Sequence, residues 1–356
     1  MKRVWIVGAG KRVRETALPA LASLAGEFEV GAVLARSERE LVAAGRAWPV
    51  RTLKSLEGSE LADGDVVYVA VGKDAVPFVL IDLMRFDRGR IELLIDTPVL
   101  RFKHLRHTPL LAPWKRAGVA EDVAFLPWYE TVRAAAGSIE RVLFDRSAYA
   151  YHGCAAAKAL VGAERIASAR RTKRADGHER AYRFTDGLEV LVVEPRDYAQ
   201  GRVVVHGARA SVSDRWETGD GPREERGASS AGERDRTPSP ALPRLDLAPI
   251  VERGLCVGFR AGSVATRLDP REAELTRGDA ERASVTARME SMKRIGFRRL
   301  LQALASERGA YPIEQGLDDM AVDWFLERFG RWRANALLDV RRPFARDLWS
   351  WLGRLR

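Results

Sequence analysis

The sequence predicts an α/β protein of two domains, a doubly wound parallel sheet followed by an α+β domain with a largely antiparallel sheet. A chain of 356 residues is longer than one ordinary core can organise. Strand and helix patterns alternate over roughly the first hundred residues, and short β-rich runs dominate from about residue 140. We therefore expect domains at residues 1–125 and 126–356.

The first domain opens with an apolar strand that runs directly into a glycine turn. A later apolar run, Val66–Val71, has the character of a strand buried on both faces of a parallel sheet. Strands that alternate with helices through right-handed crossovers are typical of the Rossmann fold. The predicted strands are Arg3–Val7, Glu29–Leu34, Val66–Val71 and Ile91–Ile95, and the predicted helices are Glu15–Leu24, Glu38–Ala47 and Ala75–Phe86.

The second domain shows successive β-rich runs with short turns, which predict antiparallel pairing. Its strands are expected at Ile139–Phe144, Glu164–Thr172, Arg180–Phe184, Glu189–Val193, Arg202–Val205 and Ala208–Val212, with helices at Gly153–Val161, Ala283–Leu304, Asp318–Phe329 and Ala345–Leu355. The stretch Glu217–Arg244 is rich in Gly, Ser, Pro, Arg and Glu. It has too few large apolar side chains to offset its ordering entropy, so we expect a disordered insertion.

Composition argues against several classes of protein. No apolar run approaches the ~20 residues of a membrane span, and the start lacks the apolar core of a signal peptide, so we expect a cytoplasmic protein without a membrane partner. Cys154 and Cys256 are expected to be buried apolar residues, and His104 and His107 lack further ligands for a metal. The net charge of +10 is spread along the chain, which disfavours a nucleic-acid interface and allows an anionic ligand.

The strongest motif is Val7-Gly8-Ala9-Gly10-Lys11-Arg12-Val13, which lies between a predicted strand and a predicted helix. In a dinucleotide-binding turn, the first glycine permits the bend and the second lets backbone approach the diphosphate at the helix N-terminus. Gly8 and Gly10 match these two roles, whereas Val13 occupies the place of the usual third glycine. The motif predicts NAD(P) binding.

The end of the second strand indicates which dinucleotide is bound. Chains that bind NAD usually carry Asp or Glu there to hold the ribose 2′-hydroxyl. This chain has Arg36 and Ser37 instead, a guanidinium and a hydroxyl that suit a 2′-phosphate. NADP(H) is therefore favoured over NAD(H), and the alternative is that Arg36 is simply a solvated loop residue.

Taken in order, these motifs resemble the glucose–fructose oxidoreductase/inositol dehydrogenase/MocA (Gfo/Idh/MocA) family. The matching features are the Gly8–Gly10 turn, the Val66–Val71 strand, Ile95-Asp96-Thr97-Pro98, Gly137-Ser138-Ile139-Glu140, and Tyr151-His152 before a helix that ends at Gly162. The resemblance covers residues 1–215. It implies hydride transfer between a nicotinamide and a sugar, a polyol or a related substrate.

The resemblance also implies catalytic residues, and this chain departs from several of them. Thr97 stands where the family has the lysine of its Glu-Lys-Pro segment, and threonine is not a base at neutral pH. His152 matches the family's histidine, so it is the predicted general acid/base. The aspartates often found four residues before it and three after it are Ala148 and Ala155 here.

Few residues are candidates to replace the missing lysine. Lys73 follows the third predicted strand, where open α/β sheets form ligand crevices. Asp96, Tyr129, Tyr149 and Tyr151 are further candidates, although a packed aromatic role suits each tyrosine. The predicted catalytic residues are thus His152, Thr97, Lys73 and Tyr151, and the predicted cofactor contacts are Gly8, Gly10, Lys11, Arg12, Arg36, Ser37, Val71, Gly72, Asp96 and Pro98.

Two classes of function remain open from the sequence. One is an NADP(H)-dependent oxidoreductase that acts on a small sugar, polyol, or imine- or enone-type substrate. The other is a non-catalytic NADP-binding sensor or partner protein, in which the substitutions of the family's residues record lost chemistry. A homo-oligomer, dimer or tetramer, is expected because symmetric assemblies are common and family members often pair through the second sheet.

Overall fold

The computed structural model describes residues 1–217, 242–279, 281–306 and 310–334. In this part of the chain the predicted fold class is confirmed, with a mostly parallel sheet followed by a largely antiparallel one. The first part of the chain contains strands β1 (Lys2–Val7), β2 (Phe28–Ala35), β3 (Arg39–Ala43), β4 (Arg46–Thr52), β5 (Val66–Val69), β6 (Glu92–Asp96) and β7 (Arg116–Ala120), with helices α1 (Leu18–Ser23), α2 (Val76–Asp82) and α3 (Tyr129–Ala136).

The first sheet has the strand order β7-β6-β5-β1-β2-β4-β3 over these elements. Strand β1 pairs in parallel with both β2 and β5, and β5, β6 and β7 continue in parallel. All four residues of β5 are buried, as expected for a central strand covered on both faces. The carboxyl ends of β1, β5, β6 and β7 consequently share one edge, which is where ligands bind in open α/β sheets.

The helix predicted after the glycine turn spans residues 11–23. Two helical residues precede a π-helical turn at Val13–Ala17, and the helix continues as α1. Val13 is fully buried in the same apolar cluster as Val4 and Ile6 of β1. The valine in place of a third glycine thus serves the packing of this helix against the sheet.

The helix predicted at Glu38–Ala47 is wrong, because a β-hairpin occupies this stretch. Strands β3 and β4 pair antiparallel, and their turn is formed by Ala44 and Gly45 at φ 52° and 74°. Positive φ at both central residues is the geometry of a type I′ hairpin turn. Burial alternates along both strands, with Leu41 and Trp48 among the buried residues. Burial at every second residue is the pattern of a strand, but the alanines in this stretch favour a helix and hid the pattern in the sequence.

The second sheet is built from later elements and has the order β16-β15-β14-β13-β12-β8-β11-β10-β9-β18 within the described residues. Its neighbours pair antiparallel except β8 with β11 and β13 with β14, which are parallel. The bounds are β8 (Ile139–Asp145), α4 (Ala150–Val161), β9 (Ser168–Arg174), β10 (Gly177–Arg183), β11 (Glu189–Glu194), β12 (Arg202–Gly207), β13 (Ser211–Ser213), β14 (Arg244–Glu252), β15 (Leu255–Ala261), β16 (Val264–Arg267) and α5 (Pro270–Glu274). Strands β14 to β16 were not foreseen from the sequence.

The last described elements return to the first sheet. They are α6 (Met289–Ala305), β17 (Tyr311–Pro312), α7 (Ile313–Phe329) and β18 (Arg331–Arg333), and β17 extends the first sheet beside β7. Four buried residues of α6, Phe297, Leu300, Leu301 and Leu304, share an apolar cluster with β1. Residues far beyond 125 therefore complete the core of the N-terminal sheet, while the domain limits themselves stay a prediction.

A buried ion pair fixes α4, the helix that follows the Tyr151-His152 motif, against α7. Lys158 and Asp319 are 2.7 Å apart, and their side chains are 3% and 5% exposed. The hydroxyl of Tyr311 in β17 donates to the same carboxylate at 2.5 Å. Because β17 pairs with β7, this contact ties α4 to the first sheet.

Two predicted segments fall mainly outside the described residues. Of the insertion expected at Glu217–Arg244, residues 218–241 lie outside the described part of the chain. Its last residue, Arg244, is the first residue of β14. The predicted helix Ala345–Leu355 also lies outside the described part. Among the helices that are described, none has the length and apolarity required to cross a membrane.

The change in stability caused by Gly45→Ala has opposite signs in a hairpin turn and in a helix, so it distinguishes the two structures. In a helix, Gly45→Ala would raise stability, but at φ 74° the added Cβ costs about 1 kcal/mol. We expect a lower urea midpoint for Gly45→Ala, and near-native stability for Gly45→Asn, since asparagine tolerates this backbone. Stabilisation by alanine would contradict the hairpin.

Candidate active site

The glycine turn lies at the carboxyl end of β1, between the ends of β2 and β5. The Gly8 amide donates to the Leu34 carbonyl at 2.8 Å, and the Ala70 amide donates to the Val7 carbonyl at 2.8 Å. Gly8 has φ 134°, and a Cβ there would lie 2.1 Å from the Ala70 carbonyl oxygen, so only glycine fits.

Gly10 has a different environment. It is exposed, and an added Cβ would meet no atom within 4 Å. The space beside the start of the first helix is therefore open to a ligand that approaches the backbone closely. Backbone amides at a helix N-terminus attract anions, so the geometry of this turn is compatible with an anionic group.

The end of β2 lies on the other side of β1 from β5 and β6. Arg36 and Ser37 are exposed there, directly after the last residue of β2. Arg39, at the start of β3, reaches back so that its guanidinium donates to the Ala9 carbonyl at 3.4 Å. The hairpin thus brings a second arginine to the edge of the glycine turn, a residue that sequence analysis missed because it assigned a helix.

Arg12 does not extend toward solvent beside the turn but crosses the sheet edge to carboxylates. Its Nε donates to Asp96 at 3.1 Å, and its Nη1 donates to Asp122 at 2.6 Å. Its remaining amino group donates to the Ala120 carbonyl at 3.2 Å. Asp96 also lies 3.8 Å from the Lys73 ammonium, so one carboxylate serves a cation from the first helix and a cation from the loop after β5.

His152 belongs to the first turn of α4 and meets an acidic residue from the first sheet. Its Nδ1 lies 2.8 Å from Oε1 of Glu121, the residue directly after β7. The two side chains are 15% and 2% exposed. The ring centre of Tyr151 lies 4.3 Å from that of His152, with the two rings tilted by 47°, and the ring of Tyr149 lies 4.9 Å away.

Burial changes the proton affinity of this pair in opposite directions. It lowers the pKa of His152 to about 3, and it raises the pKa of Glu121 well above its ordinary value, with the neighbouring Asp122 adding to the rise. Both shifts favour a neutral imidazole beside a neutral carboxyl group. The pair then has no net charge and shares the carboxyl proton with Nδ1 of His152. Burial also lowers the pKa of Lys73 and raises that of Tyr151.

The structure brings most of the predicted catalytic residues to one edge of the first sheet. Lys73 follows β5, Thr97 follows β6, and the charges of Asp96 and Arg12 act on His152. Thr97 is buried, at 8% exposure. Among the predicted cofactor contacts, Val71 and Pro98 are half-buried and Gly72 is exposed, whereas Lys11 is 79% exposed and 3.6 Å from Glu15. The catalytic and cofactor roles of all these residues stay predictions.

Sequence reasoning missed Glu121, Asp122 and Lys293. The first two had a usable signal, because they directly follow an apolar run that forms β7, and polar residues after parallel strands meet at one edge. Lys293 had no such signal. It comes from α6, which approaches the sheet so closely that a Cβ on Gly296 would lie 2.3 Å from the Asp122 carbonyl oxygen.

Solved structures with this fold include several oxidoreductases of low sequence identity. A candidate myo-inositol dehydrogenase from Sinorhizobium meliloti is 16% identical, with a TM-score of 0.57 over 94% of this chain and 100% of that one. An aldose-aldose oxidoreductase from Caulobacter crescentus, complexed with glycerol, is 12% identical, with a TM-score of 0.54 over 94% and 99%. A levoglucosan dehydrogenase, in complex with NADH and levoglucosan, is 14% identical, with a TM-score of 0.53 over 94% and 99%.

No protein-family model matches the sequence, and no curated protein sequence matches it either. The structural likeness confirms, for the fold, the resemblance that the order of the motifs indicated.

The shifted proton affinity of Glu121 should appear in the pH dependence of stability. The unfolded carboxyl ionises near 4.5, whereas the folded one keeps its proton to higher pH. Above pH 4.5, ionisation therefore favours the unfolded state, by up to about 1.4 kcal/mol per pH unit until the folded pKa is reached. Glu121→Gln retains a hydrogen-bonding partner for His152 but does not titrate.

We therefore expect Glu121→Gln to gain free energy of unfolding relative to wild type as the pH rises from about 5 to 7. His152 is present in both proteins, so its own titration largely cancels in the difference. Urea denaturation at several pH values measures the effect, with the exposed Glu130→Gln as control. A difference that stays constant or shrinks with rising pH would refute the raised pKa of Glu121.

Proposed function

We propose that this protein is an NAD(P)(H)-dependent oxidoreductase that transfers hydride to or from a small substrate. One observation carries the proposal. An open glycine turn, with free space at Gly10, shares a sheet edge with the half-buried His152 and its buried partner Glu121. A dinucleotide held at the turn and a group that exchanges protons are the two components that nicotinamide chemistry requires.

The proposed cofactor is NADP(H) rather than NAD(H). Arg36, Ser37 and Arg39 surround the end of β2, where the adenosine ribose lies in dinucleotide-binding sheets. Two guanidinium groups favour a 2′-phosphate. Gly8, Gly10, Lys11 and the Val71–Gly72 loop would border the diphosphate, and Asp96 and Pro98 the nicotinamide end.

When bound, the nicotinamide supplies or accepts the hydride, and the protein's own residues manage the proton. His152 exchanges a proton with the substrate oxygen through Nε2, and the proton shared with Glu121 moves to or from Nδ1 in the same step, so that the ring stays neutral and oriented. Lys73 polarises the same oxygen in the role of the missing lysine. Its partner Asp96 keeps the ammonium directed into the site. The Tyr151 hydroxyl remains protonated, because burial raises its pKa, and it donates a hydrogen bond to the substrate.

The substrates that suit this arrangement are a sugar, a polyol, or an imine- or enone-type compound. For reduction of a C=N or conjugated double bond, the protein needs to supply only a proton donor. Such a reaction therefore tolerates threonine at position 97 better than alcohol oxidation does, which needs a base. We further propose a cytoplasmic homo-oligomer, either a dimer or a tetramer.

Binding of the cofactor is tested at Gly10. Valine at this position fills the space proposed for the diphosphate and meets no protein atom at its Cβ, so Gly10→Val should fold normally. We expect its affinity for NADPH to fall about tenfold or more, or ~1.4 kcal/mol. Fluorescence titration measures the affinity, with Gly58→Ala, an exposed glycine away from the site, as control.

In wild type, NADPH should bind more tightly than NADH, and Arg36→Ala should remove most of that preference. Failure of the wild-type protein to bind either dinucleotide would end the proposal.

Catalysis is tested at His152 in a screen of sugars, polyols, sugar acids and imines, followed by absorbance of NADPH. For any substrate found, His152→Gln should lower kcat about a hundredfold or more, because the proton donor is lost. The affinity for NADPH should stay within about twofold, since no dinucleotide contact is removed. An unchanged kcat would remove the acid/base role, and dinucleotide binding without any turnover would favour the non-catalytic alternative.

A further inference from the structure

A chain of aromatic and basic side chains extends outward from His152. We name the set Tyr149, Arg196, Tyr198 and Lys293 the basic–aromatic cluster. The ring of Tyr149 lies 4.9 Å from that of His152. The guanidinium of Arg196 is 4.3 Å from the Tyr149 ring centre and 5.6 Å from that of Tyr198. The ammonium of Lys293 is 4.7 Å from the Tyr198 ring centre.

Lys293 is the inner cation of this cluster. Its side chain is 12% exposed, and its nearest carboxylate, Glu290, is 3.5 Å away and itself 55% exposed. Burial alone would lower the pKa of Lys293, but Tyr198 and Asp122 hold it above its ordinary value, so the charge persists. The same charge lowers the pKa of both His152 and Glu121, which places it within electrostatic reach of the reacting pair.

Arg196 is the outer cation, and it contacts rings instead of acids. It follows β11 on an exposed loop, between the rings of Tyr149 and Tyr198. Across the described residues, no carboxylate comes within ion-pair distance of its guanidinium. Arg12 and Arg180, by contrast, are each held by two or more carboxylates. A guanidinium spread on aromatic faces keeps its donors available for a ligand.

We infer that the substrate carries an oxyanion, a carboxylate or a phosphate, which Lys293 and Arg196 bind beside His152. This inference rests on the proposed function and names its substrate class. The rings of Tyr149 and Tyr198 flank the carbon skeleton, and the anion lies on the side of His152 away from the glycine turn. A neutral sugar would leave Arg196 without an anion and Lys293 with only the exposed Glu290, which disfavours such a substrate.

Small oxyanions test the site directly while NADPH occupies the glycine turn. The protein is saturated with NADPH and titrated with malonate or with inorganic phosphate, with chloride used to keep ionic strength constant. In wild type, the thermal midpoint should rise and saturate. Lys293→Met and Arg196→Gln should each raise the dissociation constant of the anion about tenfold, since each removes one charge-assisted contact. Arg271→Gln, an exposed arginine on α5, should have no effect.

The outcomes separate this inference from the proposed function. Failure to bind NADPH before any anion is added defeats the proposed function itself. Normal NADPH binding with no saturable response to either anion overturns the oxyanion site alone, as does a response in both cluster variants that is as strong as in wild type. Arg196→Gln keeps the test decisive if Lys293→Met is unstable, because Arg196 is exposed. Tighter binding of malonate than of phosphate assigns a carboxylate, and the reverse order assigns a phosphate.

Discussion

Two adjacent buried carboxylates at the end of β7 hold the parts of this molecule together. Glu121 and Asp122 are each 2% exposed, so both need partners that satisfy them away from water. Arg12 reaches Asp122 from the helix after the glycine turn, and His152 meets Glu121 from α4. Without these partners Asp122 would lack a counter-charge and the Glu121 carboxyl would lack a hydrogen-bonding partner in the interior, so the dipeptide requires the glycine turn and α4 to converge here.

The backbone of the same dipeptide also receives α6. Gly296 lets this helix approach the Asp122 carbonyl more closely than any side chain would allow, and Lys293 lies about one turn earlier. On the far side of the sheet, the Lys158–Asp319 pair holds α4 through α7 and β17. The positions of His152 and Lys293 are therefore set by packing on the first sheet, although both residues come from later parts of the chain.

Compared with the family it resembles, the chain keeps positive charge at the sheet edge but supplies it from other positions. Thr97 replaces the lysine and is buried after β6. Lys73 stands one strand away, beside Asp96, and Lys293 approaches from α6. Glu121 likewise supplies a carboxylate next to the histidine where Ala148 and Ala155 lack one. The substitutions at Thr97, Ala148 and Ala155 thus coexist with two lysines and a glutamate at the same edge of the first sheet.

The sequence alone determined the features that depend on neighbours along the chain. An apolar strand followed by Gly8, the buried run of β5 and the helix that begins near His152 each have a local pattern set by backbone sterics and burial. The hairpin at Ala44–Gly45 was missed because the residues around it have only a weak preference between helix and strand. Pairing of β4 with β2 decides that this stretch forms strands. Only the tertiary structure decided that Glu121 meets His152 and that Lys293 joins them. Those contacts link residues 31 or more positions apart, and no periodicity or spacing encodes a distance that arises only when two sheets pack together.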